Sequence, residues 1–483
     1  MGPPTTVYVL IKESHVSHAP VATSKGVGKQ NLKKVAGPTL LWGIAVGAVI
    51  SGDYYGWNAG LGLTGYWGFL IAIGIMAVLY LGLSFVIGEL GAAIPHSGGA
   101  YAYVRTAMGR VWGFLAGGSV VLQFVVAPVA VALTTGAYVQ VLFRDVPILL
   151  TAAILYIAST ALHLFGAGSS LKVEFIITAL AVVGLIVFIV IGAPKMSLEN
   201  LNAYSAGAIL PNGIPGLWAT LPLAAWFFFA IESLPMAAEE TKNPVKDIPR
   251  ALILAFITLA IVGLGTLTVA AGVGDADLPG AAAPLVVALQ TVIGSQEWIA
   301  PTIALFSILA LIASFHAIVL AYSRQTFALS RAGYLPAFLS RLNRFRTPGW
   351  ALIIPGIFGF AFVIVGDTVL PDAIPVLVTL SVLFAAVSYV LMMISALIIR
   401  AKRPDIHRPF QTPGGRVTIW ISLIIALLLI PAAMAGFLIA FIIGAVVYAV
   451  LIVYYVAVAR RTLSGLTAEQ ELARVDQAEK ELN

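Results

Sequence analysis

Apolar stretches of ~20 residues recur along nearly all of this chain, and each is long enough to cross ~30 Å of hydrocarbon. That feature limits the fold more than any other. Only 10% of the 483 residues are charged, against about a quarter in a soluble domain. The chain therefore reads as an all-α, polytopic integral membrane protein. Twelve spans are expected, near 38–62, 66–92, 113–141, 149–166, 173–193, 217–240, 251–273, 298–323, 350–368, 374–399, 417–434 and 436–458.

Two of these spans are interrupted. The first reads Trp42 to Ile50, then Ser51-Gly52-Asp53-Tyr54-Tyr55-Gly56-Trp57-Asn58, then apolar again. The sixth runs from Leu217 to Phe229, breaks at Ala230-Ile231-Glu232-Ser233-Leu234-Pro235, and resumes to Glu240. A break in lipid frees backbone polar groups, which is tolerated only beside a cavity. Paired interruptions at corresponding places of two halves are the best sequence pointer to a transporter's binding site. If spans one and six open the halves, the architecture is five plus five helices related by inverted topology, with an appended pair.

Charge fixes the expected orientation. With the N-terminus inside, 25 of the 27 Lys and Arg residues fall on the cytoplasmic side, and only Arg144 and Lys195 lie outside. The external loops instead carry Asp145, Glu199, Asp275, Asp277, Glu297, Asp367 and Asp372. The net charge of +6 is thus topological and argues for no nucleic-acid partner. Residues 1–34 and 461–483 read as cytoplasmic tails around a transporter domain at 35–460, in the plasma (inner) membrane. No signal peptide is expected, and Thr467 to Asn483 suggests a short amphipathic helix. The external run Ala281 to Val292 reads as a surface helix, a candidate outer lid. There is no cysteine, so disulfides and thiol chemistry are excluded.

An ionisable group at bilayer depth is a functional candidate by default. Asp53, at the first break beside Tyr54, Tyr55 and Trp57, suits an organic cation, with the rings adding cation–π attraction. Alternatively, Asp53 caps the outer half-helix. Glu232, in the second break near Trp226 and Phe229, can carry a proton when desolvated, or else bonds the freed amides of its own helix. His316 can relay protons or sit bonded to a carbonyl. Gln123 faces either the cavity or another helix. Glu89 is expected in an inner-gate ion pair with an arginine of the loop after span eight. Glu174, near Lys172, is expected on the surface. No G-x-S-x-G, H-E-x-x-H or P-loop is present, so no enzyme, metal or cofactor is expected.

Three stretches carry a family resemblance: Tyr322-Ser323-Arg324 through Pro336 with Arg346-Thr347-Pro348; Glu89 through Tyr103; and Trp226 through Ser233 with Glu239-Glu240 to Pro244 and Ile248-Pro249. Over residues 35–460 they resemble the amino acid–polyamine–organocation superfamily of permeases. The resemblance implies a LeuT-like fold of twelve helices, five plus five and two more, and alternating access. It implies that Trp226 closes over the substrate, and that Glu232 takes part in proton sensing as in related antiporters. Amino-acid permeases of the superfamily usually hold the substrate carboxylate on a Gly-Ser-Gly-Ile type run at the first break. Here Asp53 would repel that carboxylate, by ~4 kcal/mol at ~4 Å and an effective dielectric of ~20. The departure favours an amine without a carboxylate, and the run resembles the ethanolamine permease branch, as do Ala230 to Glu240 and Ser314 to Ala317.

The expected function is uptake of a small amine by proton symport. Main-chain groups at Ile50, Ser51 and Gly52 and at Ala230 to Ser233 would line the site. Asp53 would pair with the ammonium, and Tyr54, Gln123, Trp226 and Phe229 would complete the walls. Glu232 or His316 would couple protons, and Trp226 and Glu89 would gate. Ser314 supplies one hydroxyl for a sodium site, without an adjacent second. An amino-acid or polyamine carrier, a non-transporting sensor, and a monomer or homodimer all remain open.

Overall fold

The computed structural model describes residues 34, 36–96, 98–205, 208–293, 298–370 and 372–462. The expected C-terminal amphipathic helix lies outside them, as does almost all of each tail. In chain order the helices are α1 (Pro38–Tyr54), α2 (Trp57–Ala93), α3 (Ala100–Met108), α4 (Arg110–Leu142), α5 (Ile148–Leu164), α6 (Ala167–Gly192) and α7 (Gly213–Ala225). After a 3-10 segment, Ile231–Glu240, follow α8 (Pro244–Val273), α9 (Pro284–Ile293), α10 (Ile299–Arg331), α11 (Gly349–Thr368), α12 (Ala373–Lys402), α13 (Arg416–Gly436) and α14 (Leu438–Tyr454). Among the described residues, nine helical stretches are long and apolar enough to cross a membrane. The same residues contain no strand, only an isolated bridge between Ala36 and Thr241.

Burial sorts the helices into centre and rim. Most of α4 is buried between α10 and α12. α1 is enclosed by α6, α8 and α10, and its run Gly43 to Tyr54 is buried throughout. By contrast, α14 buries only Ala440 and Gly444 and exposes Val446, Val450 and Val453. A helix apolar all round belongs in a core or against lipid, so these apolar outer faces mark the bilayer-facing perimeter.

Glycine and proline set the element ends. Gly65 (φ 65°) bends α2 where two spans were expected to join, and a positive φ there costs glycine little. Gly99 and Gly109, both at positive φ, bound the short α3. Asn243 and Pro244 open α8, with proline at the first helical position, where its missing N–H is not needed. The external run expected to form a surface helix is helical over α9, with Leu285, Val286, Ala288 and Leu289 buried.

Candidate functional site

The two breaks meet at the centre of the bundle. α1 stays helical through Tyr54, and the chain turns at Tyr55 and Gly56, where φ is 91°. Asn58 then holds the corner: its Oδ1 accepts from Gly56 N at 3.1 Å, and its Nδ2 donates to Leu278 O (3.1 Å) and Ala281 O (2.9 Å). Trp57 Nε1 donates to Asp53 O at 3.2 Å. In the second break α7 ends at Ala225, and Ala230 takes a left-handed φ of 77°. That conformation costs a non-glycine residue about 1 kcal/mol. The freed groups are partly recovered by tighter bonds, such as Ser233 N to Ala230 O at 3.0 Å. Gly52 packs directly on the Trp226 carbonyl, and an added Cβ would collide with it. Trp226 stacks on Phe229 (4.8 Å, 22°) and meets Tyr55 edge-on (5.8 Å, 67°).

This geometry corrects several expectations. The amides of Ile50, Ser51 and Gly52 are not freed, because the Val/Ile/Ser run propagates the helix to Tyr54, and it ends where Tyr55 turns extended (φ −161°). What faces the break is the C-terminal, partially negative end of α1. Asp53 caps nothing: α2 starts at Gly56 without a side-chain cap. Its carboxylate is 0% exposed and lodged between Phe227 and Gly263, with neither oxygen hydrogen-bonded among the described residues. Tyr54 points to α6, donating to Ala181 O at 2.7 Å, so Tyr55 is the ring that meets Trp226.

Glu232 and Gln123 do come together. Gln123 Nε2 (2.9 Å) and the Tyr389 hydroxyl (2.6 Å) both donate to Glu232 Oε1, and Tyr389 lies 3.2 Å from the Tyr80 hydroxyl. Oε2 of Glu232 and the Ser233 hydroxyl have no partner among the described residues. Tyr80 and Tyr389 were missed in the sequence. Their signal was a tyrosine deep within an apolar run, away from the interfacial belt where tyrosines usually sit.

His316 turns away from the breaks. Its Nδ1 lies 2.9 Å from Ser159 Oγ, and its ring stacks on His163 at 3.7 Å and 5°. Two residues earlier, Ser314 Oγ lies 2.8 Å from both Ala48 O and Ser51 Oγ, so a second hydroxyl does stand beside it, contributed by α1. Glu89 is ion-paired, but with Arg400 of α12 rather than the loop after span eight. Arg400 Nε donates to Oε1 at 2.9 Å, Nη2 bonds Oε2, and Thr412 N donates to Oε2 at 2.8 Å. Arg324 instead pairs with Glu240 at 2.5 Å, both 1% exposed. Glu174 is not on the surface. It is 1% exposed, packed on Gly47 of α1, with Thr178 Oγ1 donating to it at 3.3 Å.

Long apolar helices around two crossed, interrupted segments define a multi-pass membrane permease rather than an enzyme. A family model described as amino acid permease matches residues 40–459, and the chain belongs to that family. It is 26% identical to the branched-chain amino acid permease BcaP of Bacillus subtilis over 453 residues, covering 87% of this chain and 93% of the relative. It is 28% identical over 389 residues to an uncharacterized transporter of Rhizobium meliloti, covering 77% and 80%. It is 25% identical over 395 residues to the methylthioribose transporter of Bacillus subtilis, covering 77% and 82%.

Proposed function

We propose that this permease imports a small organic amine of the ethanolamine type by proton symport with alternating access. It would do so across the plasma (inner) membrane with both termini cytoplasmic. Twelve spans follow if α1 with the first turns of α2 forms one, the rest of α2 the next, and α7 with Ile231–Glu240 the sixth. The others are α4, α5, α6, α8, α10, α11, α12, α13 and α14, and the first ten form the inverted repeat.

The observation that carries the substrate reading is Asp53. A carboxylate sealed at the end of α1, with no hydrogen bond and no ion pair among the described residues, is costly. An ammonium entering at the break supplies the missing charge, and the C-terminal ends of α1 and α7 favour the same sign. Tyr55, Trp226 and Phe229 form the apolar wall. Glu232, bonded to Gln123 and Tyr389 at the second break, carries the proton. His316 is left to its pairing with Ser159 and His163.

Two observations favour a second reading, an amino-acid carrier: the name of BcaP, and the direction of Asp53 toward α8 rather than into the break. Uptake of labelled ethanolamine into proteoliposomes separates the two. The amine reading predicts saturable uptake, little competition from alanine, and at least a tenfold loss in Asp53→Asn. Alanine transport that survives Asp53→Asn would establish the second reading.

A further inference from the structure

We propose that the cavity above the first break is an outer collecting site for organic ammonium ions, with Asp367 and Asp372 as its charged elements. The substrate part of this inference rests on the amine reading above; the electrostatic part does not.

The cavity has a volume of about 600 Å³ and reaches down to Tyr55 and Gly56 at the break itself. Pockets of roughly 300–1,000 Å³ are the usual size for small-molecule sites. One wall is the Pro279–Ala282 segment, held by the bonds of Asn58 to the Leu278 and Ala281 carbonyls. The opposite wall is the turn from α11 to α12, which contributes Asp367 and Asp372. Both carboxylates are exposed, and neither has an ion-pair partner among the described residues. No Lys or Arg lines the cavity.

A second, independent feature points to a ligand. Tyr55 lines the floor, is 1% exposed, and its hydroxyl interacts with the Trp226 side chain without a hydrogen bond of normal geometry among the described residues. A buried hydroxyl bonded so poorly is costly, and a bound ammonium or its alcohol group can satisfy it. Tyr55 also touches Trp226 edge-on, so this floor is the upper face of the inner site. An acidic, low-dielectric cleft concentrates cations and raises their on-rate by roughly 10–10³.

The chain has no cysteine, which allows a direct test. A single Ala282→Cys, exposed on the cavity wall, is labelled with cationic and anionic methanethiosulfonate reagents. The cationic reagent should react about tenfold faster relative to its rate on a free thiol. That preference should collapse toward parity with Asp367→Asn and Asp372→Asn, and should shrink above ~0.15 M salt, where screening acts within ~8 Å. In uptake assays the same double substitution should raise the KM for ethanolamine about fivefold at low salt and leave kcat unchanged. A charge preference unaffected by the two substitutions would overturn the collecting site. A preference that collapses as expected, in a protein that takes up no ethanolamine, would uphold the cation trap and overturn the amine reading instead.

Discussion

Among the described residues, five of the buried carboxylates divide cleanly by partner. Glu89 and Glu240 face Arg400 and Arg324. Asp53, Glu174 and Glu232 have only hydroxyl or amide neighbours, or none. The first pair are tied to arginines, and under the proposed function the other three would be available to a proton or a substrate cation. Removing one partner of a buried ion pair leaves an uncompensated charge and costs about 3–5 kcal/mol. Arg324→Ala should therefore lower the thermal midpoint of the detergent-purified protein sharply, while Arg324→Leu with Glu240→Leu should recover most of it. A small effect of the single substitution would mean that the pair holds nothing together. At this scale the sequence was only half legible. Glu174 was read as a surface residue because Lys172 lies beside it. Helical spacing would have put it on one face with Leu171, Thr178, Ala181 and Leu185, all buried, and Lys172 on another. Its contact with Gly47 was beyond reach, since nothing in the local sequence says which helix packs there.

At the scale of the element, both breaks were legible from Gly, Pro and carboxylates in apolar runs, but each was misplaced by a few residues. Ser51 and Gly52 are weak helix formers that still propagate a helix enclosed by α6, α8 and α10. It ends instead at Tyr55, which is extended, and Gly56 with φ 91° turns the chain into α2. The second break starts at Trp226, before the carboxylate that had marked it. Gly52 nevertheless matters, because it lets α1 lie on the Trp226 carbonyl. Gly52→Ala should force the two broken segments apart, cost about 1–3 kcal/mol by overpacking, and abolish transport while the protein still reaches the membrane. Retained transport with unchanged thermal stability would show that the two breaks do not need this contact.

On the scale of the whole molecule, one end is tied shut and the other is open. At the arginine-rich end, Glu89–Arg400 joins α2 to α12, and Glu240–Arg324 joins the second broken segment to α10. There too Ala36 N donates to Glu240 O and Lys242 N to Ala36 O, each at 2.9 Å. At the aspartate-rich end, the cavity of about 600 Å³ descends to Tyr55. The ion pairs thus hold together the side expected to be cytoplasmic, and the alternating access proposed above would require those ties to part. The long apolar helices were legible because sustained hydropathy marks segments that pack in a core or against lipid. The cross-bundle pairs were not, because Gln123–Glu232 and Glu89–Arg400 join residues far apart in sequence through packing alone.

The most direct test of a proton-coupled amine permease is proton movement itself. Proteoliposomes carrying a luminal pH dye and no imposed gradient would be given ethanolamine from outside. The account predicts luminal acidification that saturates with ethanolamine. In Glu232→Gln that signal should disappear, while exchange of labelled for unlabelled ethanolamine continues. Ethanolamine uptake with no proton entry, or proton entry undiminished in Glu232→Gln, would contradict it.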